Sequence, residues 1–213
     1  MIESATGLVL RTRPLTETSL IIHWLTPTLG RLATVAKGAR RPKSPFRGKL
    51  DLFYLADFSF TRSRRSDLHN LREVSLKETH PRLREDLGRV HQASYCAALL
   101  EQSTEAETPL PGLFELMRSL LRHVSSESPK AQTIFAFELK LLEQLGLLPD
   151  LDQSRLTPGA RELSRKLLTA DWALAGRLKL AAPQVEELRH FLHGFLVFNL
   201  GKIPSGRTAA LQE

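Results

Sequence analysis

Between Arg31 and Lys49 the chain reads RLATVAKGARRPKSPFRGK, with seven basic residues (Arg31, Lys37, Arg40, Arg41, Lys43, Arg47 and Lys49) and no acidic one. Lysine and arginine at this density suit one kind of chemistry: neutralising and hydrogen-bonding the oxygens of a polyanion. A second basic turn, Arg62, Arg64 and Arg65, extends the track. Bond-breaking chemistry has weaker footing. Gly38-Ala39-Arg40 and Gly201-Lys202 lack the glycine spacing of a P-loop or a dinucleotide fingerprint, and no G-x-S-x-G occurs. Asp51, Asp57 and Asp67 are scattered, which is poor material for a two-metal nuclease. Glu186, His190 and His193, at i, i+4 and i+7, could ligate a metal, but they lie opposite an apolar stripe and read as a solvated face. Cys96, beside Ala97, Ala98 and Leu99, reads as a buried, inert thiol. One cysteine permits neither an intrachain disulfide nor a cysteine metal site.

The net charge is +7, and its location matters more than its size. Residues 1–80 hold fourteen Lys/Arg against seven Asp/Glu, whereas residues 81–213 hold sixteen of each. The whole excess therefore sits in the first 80 residues, where it raises the local concentration of a polyanion. Nucleic acid is the first candidate and an anionic membrane surface the second; a basic face kept for solubility is the plain alternative. No amphipathic basic helix falls in the charged part, which argues against the membrane. No run of 18 apolar residues occurs, and the N-terminus lacks the pattern of a signal peptide, so a cytoplasmic protein is expected. Base-specific motifs are missing as well, with neither Cys/His finger spacing nor an RNP-type aromatic run. Trp24, Phe46, Phe53, Tyr54, Phe58 and Phe60 are expected mainly in a core, least firmly Phe46, which stands inside the basic loop.

Strands must position these residues first. Residues 5–13, 18–27, 31–38, 52–63 and 68–78 alternate or are rich in β-branched and aromatic residues, with turn signals between them. Five short strands in about 75 residues suggest a small barrel, of OB or SH3-like type. Pro42 and Pro45 lack donors and Gly38 and Gly48 loosen the backbone, so the basic stretch leaves its strand as a loop. From Pro81 the period becomes helical. Helices are predicted over 82–103 (one, or two joined at Gly88), from Pro111, from a Ser128 cap to Gly146, from a Thr157 cap, and from Pro183 to Gly201. The tail SGRTAALQE is expected to fray. The fold class is thus α+β: a strand-rich domain, 1–80, then an all-helical one, 81–213.

Three stretches carry a family resemblance: GLVLRTRPLTETSLIIHWLTPTLGRLATVAKGARRPKS, HQASYCAALLEQ and FELKLLEQLGLLPDL. Through them the chain resembles the RecO family of bacterial recombination mediators over nearly its whole length. The resemblance implies an N-terminal five-stranded OB-fold followed by a helical domain. It also implies a non-enzymatic role in the RecF pathway of DNA repair after DNA damage. RecO-like proteins bind single- and double-stranded DNA, anneal complementary strands, contact the acidic C-terminal tail of single-stranded DNA-binding protein (SSB), and act with RecR to help load RecA. Many members carry a four-cysteine zinc module after the LGLLPxL segment. Here LDQSRLTPGARE follows, with Ser154 and Thr157 about where the first cysteine pair would fall. Without thiolates no zinc is expected, and residues 150–182 must hold together by packing. No other cofactor is implied.

Arg31, Lys37, Arg40, Arg41, Lys43, Arg47, Lys49, Arg62, Arg64 and Arg65 are the expected DNA-binding residues. Arg118 and Arg122, one turn apart beside apolar ridges, are the candidates for the SSB tail. Two rival readings stand beside this one: an RNA-binding OB-fold protein, and an accessory subunit of a nucleic-acid enzyme. A cytoplasmic, nucleoid-associated location and no membrane partner complete the expectation.

Overall fold

The computed structural model describes Met1–Gln212 and is α+β. The chain divides into two compact units, Met1–His80 with Thr104–Glu115, and Pro81–Ser103 with Leu116 onward.

The first unit is built on five strands: β1 Ile2–Pro14, β2 Leu20–Thr26, β3 Gly30–Ala36, β4 Leu55–Thr61 and β5 Leu68–Glu78. They close as β1-β2-β3-β5-β4, antiparallel except for the parallel β3–β5 pair, which is the OB arrangement. β1 can close the barrel because it is long enough to serve two partners. Its first half pairs with β4, its second half with β2, and a register slip between Val9 and Arg11 bends it. Inward-pointing Val9, Ile22, Trp24, Leu32, Phe58, Phe60, Leu71 and Val74 fill the interior. Trp24 stacks on Phe58 with centroids 4.1 Å apart, and its indole N–H donates to Thr34 Oγ1 at 2.9 Å. The largest core side chain therefore leaves no orphaned donor.

A strap, Thr104–Glu115, belongs to this unit although the sequence reading grouped it with the helices. Pro109 and Pro111 bar a continuous helix through it. The Glu107 N–H donates to Arg31 O at 2.7 Å, Arg31 Nε donates to Thr104 Oγ1 at 2.7 Å, and Ala106 bridges to Arg31. Gly30 is needed here: its φ is +67°, and a Cβ would come within 2.2 Å of the Thr108 carbonyl oxygen.

The second unit is helical. A 3₁₀ turn, Pro81–Glu85, leads into α1 Leu87–Ser103. Then come α2 Pro111–Ser126, α3 Ala131–Gln144, α4 Pro158–Thr169, α5 Trp172–Arg177, α6 Ala182–Leu200 and α7 Arg207–Ala210. α3 is buried on nearly every side, from Ala131 to Leu142. Its cap residue is Lys130, not Ser128, so the helix starts two residues later than the Ser-Pro signal suggests. Over its described residues, Ser205–Gln212, the tail is not frayed; Glu213 lies outside them. Arg207 of α7 reaches Glu138 in the centre of α3 with both carboxylate oxygens engaged (2.7 and 2.8 Å), and Tyr95 donates its hydroxyl to Glu138 at 2.5 Å. A carboxylate buried at that depth requires such partners. Gln92 adds a bond to Ala210 O at 3.1 Å, and Leu211 is buried.

Residues 150–157 are held without metal ligands. Leu151 and Leu156 are buried, and Arg161 Nε donates to Leu156 O at 3.0 Å. Thr157 caps α4, accepting from Ala160 N at 3.3 Å, and donates its hydroxyl to Glu187 at 2.8 Å.

Candidate nucleic-acid interface

The basic stretch leaves the barrel at the end of β3 and returns at β4 as a run of tight turns. Backbone N–H groups of Ala39, Arg41, Ser44, Arg47 and Lys49 each donate to the carbonyl three residues earlier, at 3.0–3.3 Å. Gly38 and Gly48 supply the left-handed backbone (φ +69° and +71°) that these reversals require. The loop is pinned in three places. Arg40 N donates to Thr18 O at 3.0 Å and its guanidinium to Thr16 O at 3.2 Å, fastening the start to the β1–β2 turn. Phe46 is buried in the barrel core, so the aromatic with the best prospect of stacking on a base is an anchor instead. At the far end Phe53, itself at φ +65°, donates to Val9 O at 2.8 Å, and Val9 N donates to Tyr54 O at 2.9 Å.

Pinning the backbone presents the charges. Lys37, Arg40, Arg41, Lys43 and Arg47 are exposed and Lys49 is half-buried. Among the described residues none of these six is ion-paired with a carboxylate; Arg47 instead donates to Pro42 O at 3.3 Å. Fixed cations without counter-charges project a positive field that a phosphate chain can enter without displacing a carboxylate.

The other expected contacts divide. Arg64 and Arg65 are exposed on the β4–β5 turn. Arg31 and Arg62 are structural: Arg31 holds the strap, and Arg62 bonds Glu3 at 2.9 Å and Glu107 at 2.5 Å. The Arg62 hydrogen bond pulls the Glu3 carboxyl below its ordinary range. For Glu107 burial acts upward, but hydrogen bonds from Arg62 and His69 outweigh it and leave that carboxyl lowered too. His23 adds no charge at neutral pH, because burial, Arg11, Arg13 and Arg31 push it down to about 4. Arg118 is half-buried and Arg122 exposed on α2, and both already have interaction partners.

Two basic residues escaped the sequence reading. Arg72 and Lys77 of β5 are exposed near the loop's far end, with Arg72 Nε on Thr61 Oγ1 at 2.8 Å and Lys77 on Asp57 at 2.8 Å. Their signal was the outward phase of β5, which a search for charge runs passes over. Arg72 and loop residues Pro45, Phe46 and Lys49 line a groove of about 420 Å³.

Trp24, Phe46, Phe53, Phe58 and Phe60 are core residues, and Tyr54 packs partly buried against that core. Ser154 Oγ donates to Leu151 O at 2.7 Å and Thr157 is committed to its cap, so the positions where the zinc module would begin offer neutral hydroxyls already in use. These residues do not fit a tetrahedral zinc site. Among the described residues no three His, Cys, Asp or Glu side chains are grouped to hold a metal. His190 is 76% exposed and bonded to Glu186 at 3.1 Å, as on a solvated face. Cys96 is fully buried, which pushes its thiol well above the ordinary range. No helix among the described residues is long and apolar enough to cross a membrane.

Fold and surface together define a closed OB barrel that carries a fixed, carboxylate-free cationic loop and is followed by a helical unit. Family comparison agrees. Residues 1–80 match the recombination protein O N-terminal domain and residues 84–157 its C-terminal domain. The chain is 34% identical to the DNA repair protein RecO of Rhodopirellula baltica, over 80% of this chain and 62% of that one. It is 33% identical to that of Bacillus pumilus, over 72% and 59%. With the protein of the same name from Anaeromyxobacter dehalogenans strain 2CP-C, the identity is 34% over 92% of this chain and 91% of the other. The chain belongs to the recombination protein O family. It spans about three fifths of the length of the first two relatives.

Proposed function

We propose that this protein is a non-enzymatic DNA-binding mediator of recombinational repair. The observation that carries the reading is the pinned loop Lys37–Lys49, whose cations face solvent with no carboxylate partner among the described residues. Its contacts are to phosphate, so both single and double strands bind and sequence preference is weak. Lys37, Arg40, Arg41, Lys43, Arg47 and Lys49 form the centre of the track, and Arg64 and Arg65 extend it. Annealing follows from the same electrostatics. A surface that neutralises two strands lowers their mutual repulsion while leaving their base edges free to pair.

Membership of the family extends the proposal to partners: the acidic tail of SSB, RecR, and through them the loading of RecA on coated DNA at the nucleoid. Arg118 and Arg122, which already have interaction partners, are the residues proposed to take the tail. Annealing of two labelled complementary strands, followed by fluorescence transfer, tests the core of the proposal. Reversing Arg40, Arg41 and Lys43 to glutamate should slow annealing at least about tenfold, since each phosphate contact contributes to affinity. An unchanged rate contradicts it. Incubating labelled DNA with magnesium and the protein should give no cleavage. Binding to an SSB-coated strand should weaken when the SSB lacks its tail.

A further inference from the structure

Helix α6 is apolar on two sides and buries only one. Leu188, Leu192 and Leu196 are buried, on the side that packs on α3 and α4. The opposite side is not the polar face of an ordinary surface helix. Phe198 is 85% exposed and Val197 37%, and Phe191 and Phe195, whose ring centroids lie 6.2 Å apart, are half-buried beside them. Gly194 is at the centre of this face, about one turn from Phe191 and from Phe198. A Cβ there would meet nothing within 4 Å, so the helix offers a shallow gap flanked by aromatic rings. Charge marks the two ends differently. Glu186 and Glu187 stand at the N-terminal end, and Lys202, exposed, stands just past the Gly201 cap. His190 bonds Glu186 at 3.1 Å and keeps that carboxylate on the open side.

We propose that this face pairs with the same face of a second copy of the chain, the two α6 helices antiparallel about a two-fold axis at Gly194. A two-fold contact needs a self-complementary surface, and this face is one. Around that axis Phe198 comes over Phe191 of the second copy, and Val197 over His190 of the second copy. Lys202 comes over the Glu186–Glu187 end of the second copy, and the reverse contact forms at the other end. Gly194 opposite Gly194 lets the backbones approach, so the aromatic rings interlock rather than collide. The charges select this occupant. A uniformly acidic partner is repelled at Glu186 and Glu187, and a uniformly basic one at Lys202, whereas an antiparallel copy meets opposite charge at both ends. An exposed apolar patch rimmed by charge is also the general form of an association site. Such a pair carries two cationic loops, one for each strand of the annealing proposed above, but the pairing itself does not rest on that reading.

Sedimentation equilibrium of the full chain tests this. Between about 1 and 100 µM the mass should rise from one chain to two, the range expected of a small interface. A single-chain mass throughout overturns the proposal. Phe198→Asp should weaken the pair at least about tenfold. A pair left unchanged by it forms through another surface and overturns the proposal as well. Charge exchange reads the register. Phe198, Lys202 and Glu186 are all exposed, so variants at these positions keep the fold. Lys202→Glu and Glu186→Lys, each alone, set like charges opposite one another and should weaken self-association about threefold or more. Mixed in equal amounts, the two variants form a pair in which both end contacts are again opposite in sign. Affinity should then return to within about twofold of the unaltered protein. No recovery on mixing contradicts the antiparallel arrangement.

Discussion

Arg207 does the opposite of what its local sequence suggests, and Phe46 joins the core although its place in the basic loop makes it the least firm of the expected core aromatics; the physical reason is the same. The apolar surface of Phe46 is better buried, and the barrel mouth is within reach. An arginine in a tail of small and polar residues reads as solvated, yet Glu138 is buried 69 positions away and needs a cation. Neither partner is adjacent in sequence, so no local pattern could reveal the pairing. Arg207→Ala should destabilise the helical unit by roughly 3–5 kcal/mol, the cost of leaving a buried charge alone. Replacing Glu138 and Arg207 together by leucine should cost much less, and urea denaturation of the three proteins checks both statements. Phe46→Ala should cost about 3 kcal/mol by leaving a cavity. It should also weaken DNA binding although no charge is lost, because the loop loses its central pin; unchanged affinity in a folded variant would show that the pin does not matter.

At the scale of elements, the strands and most helices were legible because their signals are local. Alternation gave all five strands, Thr157-Pro158 gave the start of α4, and Gly201 the end of α6. The closure β1-β2-β3-β5-β4 came from resemblance, since pairing order depends on contacts across the sheet rather than along it. The strap was illegible for that reason too: Glu107 meets Arg62 and His69 only after folding. Its chemistry gives a pH dependence. Glu3 and Glu107 titrate lower in the native barrel than unfolded. Their contribution is therefore complete above the ordinary glutamate value of about 4.3 and is lost as pH falls through the lowered native values. Melting temperature followed from pH 7 to pH 3 should drop along that limb, and less steeply in Glu107→Gln; parallel curves would remove the strap's carboxylate from the explanation. Gly30→Ala should destabilise by at least about 1–2 kcal/mol in urea, because it combines a left-handed backbone with the Thr108 clash.

For the whole molecule, charge distribution says more about function than any single motif. The excess of +7 lies entirely in residues 1–80 and the remainder is neutral, a contrast visible in the sequence before any fold is known. Which cations are available was not visible. Arg31 and Arg62 are spent on the strap and Lys77 on Asp57, whereas Arg72, outside any charge run, stands exposed near the loop. We propose that polyanion binding is electrostatic and runs through the Lys37–Lys49 loop. The most direct test is the salt dependence of DNA affinity for the native protein and for Arg40→Glu/Arg41→Glu/Lys43→Glu. With four to six phosphate contacts, the native log–log slope should be roughly −3 to −5, and the variant should bind every sequence more weakly with a slope shallower by about two to three. An unaltered affinity and slope in the variant would place the polyanion contacts outside this loop.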